Sequence, residues 1–226
     1  MRLFKLYCIF LFLVTYSAIA SEPPSCQAIP LIFSKLGNIY YTLAPNHTIK
    51  ITHSGKDSAP ALSSDKKMIA FVRIGNQIIP KNCEDNTETK YGNQVWIYDI
   101  STKKERLLVA NNFQCDTPER KIIDPTDITF SPDNKILYFI TSGWTTSGAL
   151  HGVNVDGTNQ HYIIPANEFE VIPKGTYKGY LIVNEHRYFI PPGGSYDWYW
   201  LLSSDGKEEG AIGEEITKDQ RNFLES

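Results

Sequence analysis

Few residues in this sequence have the types and spacing that catalysis requires. A serine hydrolase of the α/β type needs Gly-x-Ser-x-Gly at a strand-to-helix turn. The nearest match, Gly193-Gly194-Ser195-Tyr196, lacks that spacing. The zinc-protease motif His-Glu-x-x-His is also absent from the sequence. The motifs therefore predict no catalytic residue, no metal site and no cofactor, and they favour a loop role for Ser195.

Isolated histidines and aspartates leave two weaker alternatives for metal binding. One is a dispersed site using His151, His161 and His186, although lone histidines are more often structural. We expect Glu185-His186 in an exposed turn between two strands. The other alternative is calcium, but no stretch satisfies the EF-hand pattern, and turn formation explains the aspartates better. The aspartates concerned are Asp124, Asp127, Asp133 and Asp156.

The most unusual stretch joins a glycine-rich loop to a run of aromatic residues. Residues 191–200 read Pro-Pro-Gly-Gly-Ser-Tyr-Asp-Trp-Tyr-Trp. Aromatic side chains offer large contact areas with a polar handle, and they dominate interface hot spots. We interpret Tyr196, Asp197, Trp198 and Trp200 as a candidate binding site. The alternative is structural, because Trp198 and Trp200 lie two residues apart on one strand and would pack together between sheets.

Two segments of the sequence repeat one strand–turn–strand pattern, which indicates that the candidate residues are carried by a repeated β-structure. Residues 60–72 align with residues 128–140, and each is a short strand, a tight polar turn and an apolar strand. The turn cores are Ser63-Ser64-Asp65-Lys66 and Ser131-Pro132-Asp133-Asn134, whose Pro, Asp and Asn residues favour turns. The runs after the turns are almost wholly apolar, which is typical of strands buried on both faces.

Each hairpin is followed by two more strand-like segments, the second pair joined through Asp156-Gly157, a strong hairpin signal. Each unit is thus predicted as four antiparallel strands, the unit of a β-propeller blade. With weaker units on both sides, the sequence predicts an all-β fold of about four blades, at the period typical of such repeats. The tail, residues 214–226, is predicted to contain a short helix. The flanking strands are predicted at residues 38–42, 48–51, 180–183, 188–190, 198–202 and 209–212.

These repeats resemble those of TolB-type propellers. The resemblance rests on the Ser-Pro-Asp-Asn-Lys turn before an apolar strand and on Trp96-Ile97-Tyr98-Asp99-Ile100, and it is best over residues 60–109 and 128–164. Such repeats occur in TolB of the periplasmic Tol–Pal system, in the non-catalytic propellers of prolyl-oligopeptidase-like enzymes and in secreted lyases. TolB-type propellers usually have six or seven blades, so this one would be small or incomplete. It would form a compact ring, contain degenerate blades, or leave an edge for a partner to cover.

The amino terminus has the features of a signal peptide over residues 1–20. Arg2 and Lys5 precede an apolar run too short to span a bilayer, and Ala18-Ile19-Ala20 is a cleavage pattern. An uncleaved anchor is the alternative. The remainder, residues 21–226, is predicted to be one propeller domain without membrane insertion. The formal net charge of the full sequence is −3, and cleavage would remove Arg2 and Lys5 and make it more negative by two. The remainder has no basic cluster, which disfavours nucleic acid as a partner.

Three cysteines remain after the predicted cleavage. Cys83 and Cys115 lie in polar loops of neighbouring repeats, and we predict a disulfide between them because an exported chain meets an oxidising compartment. Cys26 would then be free or would pair with another molecule. Three reduced thiols are the alternative.

The sequence favours a non-catalytic periplasmic or secreted module that binds a protein or glycan of the cell envelope. The alternative is a secreted lyase or hydrolase that gathers its residues in the propeller funnel, with His151, His161, His186 and Asp197 as candidates. An enzyme would place several titratable groups with shifted pKa values in one pocket. A homo-oligomer that completes its own sheet is a third hypothesis.

Overall fold

A computed structural model describes residues 31–83, 91–189, 191 and 193–226. The predicted signal peptide at residues 1–20 and Cys26 lie outside the described residues. Within the described ranges, no helix has the length and apolar composition needed to cross a membrane.

The fold consists of four consecutive antiparallel sheets, the blades of an open β-propeller. The first blade has three strands and each of the others has four, paired in chain order. No strand pairing joins the fourth blade to the first among the described residues, so the ring is not closed by a shared sheet. The first blade is β1 (Leu31–Lys35), β2 (Asn38–Ala44) and β3 (His47–Lys50); the second is β4 (Asp57–Leu62), β5 (Met68–Ile78), β6 (Tyr91–Asp99) and β7 (Lys104–Val109); the third is β8 (Thr126–Phe130), β9 (Ile136–Thr141), β10 (Gly148–Asn154) and β11 (His161–Ala166); the fourth is β12 (Glu168–Val171), β13 (Leu181–Tyr188), β14 (Ser195–Leu202) and β15 (Glu208–Gly213), followed by helix α1 (Lys218–Leu224).

The continuous apolar runs are explained by burial on both faces of the middle blades. On β5, Ile69 and Phe71 belong to the core between the first and second blades, whereas Ala70 and Val72 belong to the core between the second and third. Successive strand residues point to opposite faces. One uninterrupted hydrophobic strand therefore contributes side chains to both cores, as the sequence predicted.

The repeated polar turns are closed by a buried serine. In the second blade, the Ser63 hydroxyl donates to Asp65 at 2.7 Å and accepts from the amide of Met68 at 2.9 Å. The third blade reproduces this geometry, with Ser131 donating to Asp133 at 2.7 Å. The aspartate carboxylate thus organises its own turn, which helps to fix the register of the two strands that the turn joins.

The outward face of the fourth blade is covered by the carboxy-terminal segment. Leu224 of α1 packs with Ile182 and Leu201 in a buried cluster on this face. The helix begins with a capping box, in which the Thr217 hydroxyl accepts from the backbone amide of Gln220 at 3.2 Å and the side-chain oxygen Oε1 of Gln220 accepts from the backbone amide of Thr217 at 2.9 Å. The segment therefore occupies the place where another blade would pack.

A disulfide joins Cys83 to Cys115 in the structure, with their Cα atoms 5.2 Å apart. It links the segment after β5 to the connection between β7 and β8, and it packs in a small apolar cluster with Ile79 and Ile123. The bond therefore ties the second blade to the start of the third.

The fourth blade differs from the sequence prediction in two respects. Its first strand is β12, a short segment that the alternation pattern did not reveal. Glu185-His186 lies inside the continuous strand β13, and the prediction of a turn there is wrong. The physical reason is an ion pair within the strand: Arg187 donates to Glu185 at 3.0 and 3.1 Å, which allows a charged pair to continue a largely buried strand.

Candidate functional site

A wide groove lies between the third and fourth blades. It is bounded by the loop from β9 to β10, by the junction between β11 and β12, and by the end of β13. Its volume of about 1080 Å³ is slightly above the roughly 300–1,000 Å³ typical of ligand sites. An extended ligand therefore fits better than a small molecule. The lining residues are Ser142, Gly143, Trp144, Thr145, Thr146, Ser147, Gly148, Pro165, Asn167, His186 and Tyr188.

The rim of this groove carries exposed aromatic rings. Trp144 is 38% exposed at the tip of the β9–β10 loop, and its ring meets that of Tyr162 edge to face at 6.1 Å. Tyr188 is 60% exposed at the end of β13, with its hydroxyl 3.5 Å from that of Thr146. These rings face solvent without a large apolar cluster to cover them, which is typical of ligand-contacting residues.

Hydroxyl and amide groups supply most of the polar atoms of the groove. The hydroxyl of Ser142 is buried and has no hydrogen-bond partner among the described residues. A buried polar atom without a partner costs free energy, so this hydroxyl is a group that a ligand or a water molecule would satisfy. Among the described residues, no Lys, Arg, Asp or Glu side chain lines the groove. An uncharged ligand surface therefore fits it best.

His186 is held in one orientation at the edge of the groove. Its neighbour across the strand pair is Asp197, whose carboxylate lies 2.8 Å from His186 Nδ1. Because an ionised carboxylate only accepts hydrogen bonds, Nδ1 carries the proton in this contact and Nε2 is the acceptor of the neutral ring. The ring also meets Tyr188 edge to face at 4.9 Å. This pair is able to position a ligand or to accept a proton.

The structure divides the predicted binding set between the two faces of β14. Tyr196, Trp198 and Trp200 form a row on one face, with centroids 5.3 and 6.4 Å apart. Asp197 points to the other face, toward His186. Trp200 packs against the hydrophobic core between the third and fourth blades, and the guanidinium of Arg187 lies 3.6 Å from its ring centroid. Trp200 therefore contributes to packing, whereas Tyr196 and Trp198 are half-buried.

Charged residues on the same face as this row form an ion-pair network. Arg187 bridges Glu185, which is 4% exposed, and Glu208, at 2.6 Å. Burial raises the pKa of Glu185, and its bond to Arg187 opposes that effect. Each charge in the network has a partner within the blade. The network therefore stabilises the strand pair rather than offering a free charge to a ligand.

The histidine constellation proposed for an enzyme is split between two places. His151 and His161 line a second cavity of about 300 Å³, whereas His186 lines the groove. His151 is buried against Phe139, with ring centroids 5.4 Å apart, and burial lowers the pKa of His151 to about 4, with His161 contributing. Within the part of the chain that the structure describes, no three His, Cys, Asp or Glu side chains could hold one metal ion.

Ser195 and the four candidate aspartates have local roles in the structure. Ser195 is exposed at the start of β14, opposite Tyr188. Asp133 and Asp156 each accept a hydrogen bond within their own turn, which is the role that the sequence favoured, whereas Asp124 accepts from Asn93 of β6 and Asp127 lies within β8. The bonds are Asn93 to Asp124 at 2.6 Å, Thr126 to Asp127 at 3.0 Å, Ser131 to Asp133 at 2.7 Å and Thr158 to Asp156 at 2.6 Å.

Sequence reasoning missed the loop that forms half of the groove. Residues 142–148 read Ser-Gly-Trp-Thr-Thr-Ser-Gly, an exposed Trp among small polar residues between two apolar strands. That contrast is a usable signal, because a large aromatic residue at the tip of a short polar loop has no core to enter. Tyr188 carried no comparable signal, since it was predicted to begin a strand.

No protein-family model matches this sequence, and no curated protein sequence matches it. Solved structures do match. Dipeptidyl peptidase 4 of Porphyromonas gingivalis is 13% identical with a TM-score of 0.55, over 81% of this chain and 31% of that chain. A protein described as a TolB of Agrobacterium tumefaciens is 16% identical with a TM-score of 0.48, over 77% and 57%.

The β-propeller domain of the Trilobed protease of Pyrococcus furiosus is 16% identical with a TM-score of 0.46, over 76% of this chain and 48% of that chain. The chain thus spans less than two thirds of the length of each of these three structures. The similarity to the dipeptidyl peptidase is one of fold alone.

Proposed function

We propose that this chain is a non-catalytic binding module whose ligand, a protein or glycan of the cell envelope, docks in the groove between the third and fourth blades. The observation that carries the proposal is the groove itself, which combines the exposed rings of Trp144 and Tyr188 with a polar, uncharged lining. Aromatic anchors surrounded by satisfiable polar groups are the usual composition of a binding site.

The proposed location is the periplasm or the extracellular space. Two observations support it: the signal-peptide pattern of residues 1–20 and the Cys83–Cys115 disulfide. Disulfides persist in oxidising compartments and are rare in the cytosol. Fusion of residues 1–20 to a reporter enzyme that is active only after export tests this, and a fusion that is synthesised but stays inactive in the cytosol would contradict it.

Capture from an envelope extract tests the binding proposal. The bait is residues 21–226, compared with the Trp144→Ala/Tyr188→Ala double variant and with Phe223→Ala, which changes an exposed aromatic residue of α1 that does not line the groove. All three are first matched for thermal stability. The proposal expects one protein or polysaccharide to be retained by the wild type and by Phe223→Ala and lost by the double variant. Equal capture by all three baits would refute the proposal.

A second candidate function, a secreted lyase or hydrolase, is favoured by one observation. The carboxylate of Asp197 lies 2.8 Å from Nδ1 of His186, a side chain that lines the groove, and this contact leaves Nε2 of the neutral ring available as a proton acceptor. Turnover of a peptide or polysaccharide by the wild type, lost in His186→Ala and reduced in Asp197→Asn, would favour this function over simple binding.

A further inference from the structure

We infer that the ligand is an extended peptide segment of a partner protein, which adds a strand to the open edge of β13 at His186 and Tyr188. This inference rests on the proposed function, because it uses the same groove. It assigns the class of ligand and the atoms that recognise it, namely the backbone groups of these two residues.

The register of the fourth blade shows where the backbone groups of β13 point. The Phe189 amide donates to the Gly194 carbonyl at 3.0 Å, so Phe189 and the residues in phase with it bond to the β14 side. The Asn167 amide donates to the Asn184 carbonyl at 2.9 Å, so Asn184 and the residues in phase with it point to the β12 side. In an antiparallel strand this direction alternates from one residue to the next. The N–H and C=O groups of His186 and Tyr188 therefore point away from β14.

The inner neighbour of β13 ends before it reaches these two residues. β12 pairs with β13 only from Leu181 to Asn184. Beyond Asn184, β13 is paired only with β14 among the described residues. His186 and Tyr188 thus present two amide donors and two carbonyl acceptors on an open edge. Such an edge is a template for another strand.

The side chains around this edge complete a strand-sized site. His186 and Tyr188 also line the groove with their rings, and Trp144 and Pro165 lie on its other walls. The open edge from Glu185 to Tyr188 is about 13 Å long at roughly 3.3 Å per residue. A segment of four to five residues would pair there, with main-chain bonds giving affinity and alternate side chains reaching the rings. The uncharged lining favours apolar and small polar side chains over charged ones.

A row of alternating backbone donors and acceptors at strand spacing matches a peptide better than a glycan. Sugar hydroxyls are spaced by the ring and the linkage and do not repeat at the strand period, whereas a second peptide backbone does. A glycan bound through the aromatic rim is therefore the competing outcome of the experiments below.

Amide hydrogen exchange tests whether the edge is open in the free protein. By NMR, the amides of His186 and Tyr188 should exchange much faster than those of Arg187 and Phe189, which bond toward β14. Protection of His186 and Tyr188 equal to that of their neighbours would mean that the edge is already covered, and it would overturn the inference.

Panning tests the ligand class directly. The probe is a phage-displayed random dodecapeptide library, selected on residues 21–226. Enriched uncharged peptides should bind the wild type, lose about tenfold in affinity to Tyr188→Ala, and lose measurable binding to Tyr188→Pro. Proline removes the groove-facing amide but no bond to β14, because proline is tolerated where the N–H of an edge strand is free. N-methylation of the peptide amides that point toward β13 should abolish binding, because it removes their hydrogen bonds to the strand edge. N-methylation of the intervening amides, which point away from β13, should leave binding intact.

The results separate this inference from the proposed function. If Tyr188→Pro binds the peptides as well as Tyr188→Ala does, or if no peptide is enriched, strand addition is wrong. Should a neutral polysaccharide then be captured by the wild type and lost by Trp144→Ala/Tyr188→Ala, the binding function survives with a glycan ligand. If every groove variant binds peptide and polysaccharide as well as the wild type does, both strand addition and the proposed binding site in the groove are refuted.

Discussion

Helix α1 should contribute to stability through one buried side chain. Leu224 is 5% exposed and packs with Ile172, Ile182 and Leu201 on the outward face of the fourth blade, whereas the adjacent Phe223 is 64% exposed. Leu-to-Ala changes in cores cost about 2–5 kcal/mol, depending on how far the site collapses. A seven-residue terminal helix collapses readily. We therefore expect Leu224→Ala to lower the free energy of unfolding by about 2–3 kcal/mol.

Urea unfolding followed by tryptophan fluorescence measures this effect, with Phe223→Ala as the matched control. The control should stay within about 0.5 kcal/mol of the wild type, as exposed substitutions usually do. Size-exclusion chromatography adds an independent readout, because Leu224→Asp should expose the apolar face and promote self-association. If Leu224→Ala and Phe223→Ala were equally stable, α1 would not cover the blade.

Three further predictions follow from buried groups. His151→Phe should flatten the fall in stability below neutral pH, because a folded pKa of about 4 against 6.5 unfolded costs roughly 3 kcal/mol as pH drops from 6.5 to 4; thermal melts across that range measure it. Cys83→Ser/Cys115→Ser should lose roughly 3–4 kcal/mol of stability in urea, from the 32-residue separation. Asp57→Ala should cost about 3–5 kcal/mol in the same assay, because it leaves the 12%-exposed Arg73 without its buried partner.

Controls for these three predictions are available within the chain. His47→Gln changes an exposed histidine and should leave the pH dependence of stability intact. The disulfide prediction would be contradicted if dithiothreitol left the melting temperature of the wild type unchanged. For Arg73, Glu105→Ala removes a partner that is 40% exposed and should cost about 1 kcal/mol or less. A cost equal to that of Asp57→Ala would contradict the role assigned to burial.

The sign of the His151 effect follows from proton binding. Between pH 6.5 and 4, the unfolded chain binds more protons at this residue than the folded chain does, so stability rises with pH over that window. Above pH 6.5 both states are neutral at His151, and no effect is expected.

The blades could be predicted from the sequence because their determinants are local. The turns at Ser63 and Ser131 are closed by aspartates two residues further on. The apolar runs after them are long because both faces are buried. The sequence predicted two strands with a turn at Glu185-His186, because charged residues there are typical of a turn. In the structure β13 is continuous, since Glu185 and Arg187 form an ion pair on one face of the strand.

The groove could not be predicted, because it joins segments that are distant in sequence. The β9–β10 loop and the end of β13 lie more than forty residues apart in the printed chain, and no local pattern reports their contact. The unpaired edge of β13 exists because the short strand β12 pairs with it only as far as Asn184, and the sequence does not show where that pairing ends. The alternation of side chains along a strand predicted that Trp198 and Trp200 share one face of β14. Only the three-dimensional packing shows that Trp200 contacts the core between the third and fourth blades.

The most direct test of the groove is site-specific photocrosslinking. Benzoylphenylalanine is placed at Tyr188, in the groove, or at Phe223, on α1, and each protein is irradiated in envelope extract. We expect a discrete covalent adduct from position 188 and none from position 223. No adduct at position 188, or the same adducts from both positions, would contradict the claim that this groove is the ligand-binding site.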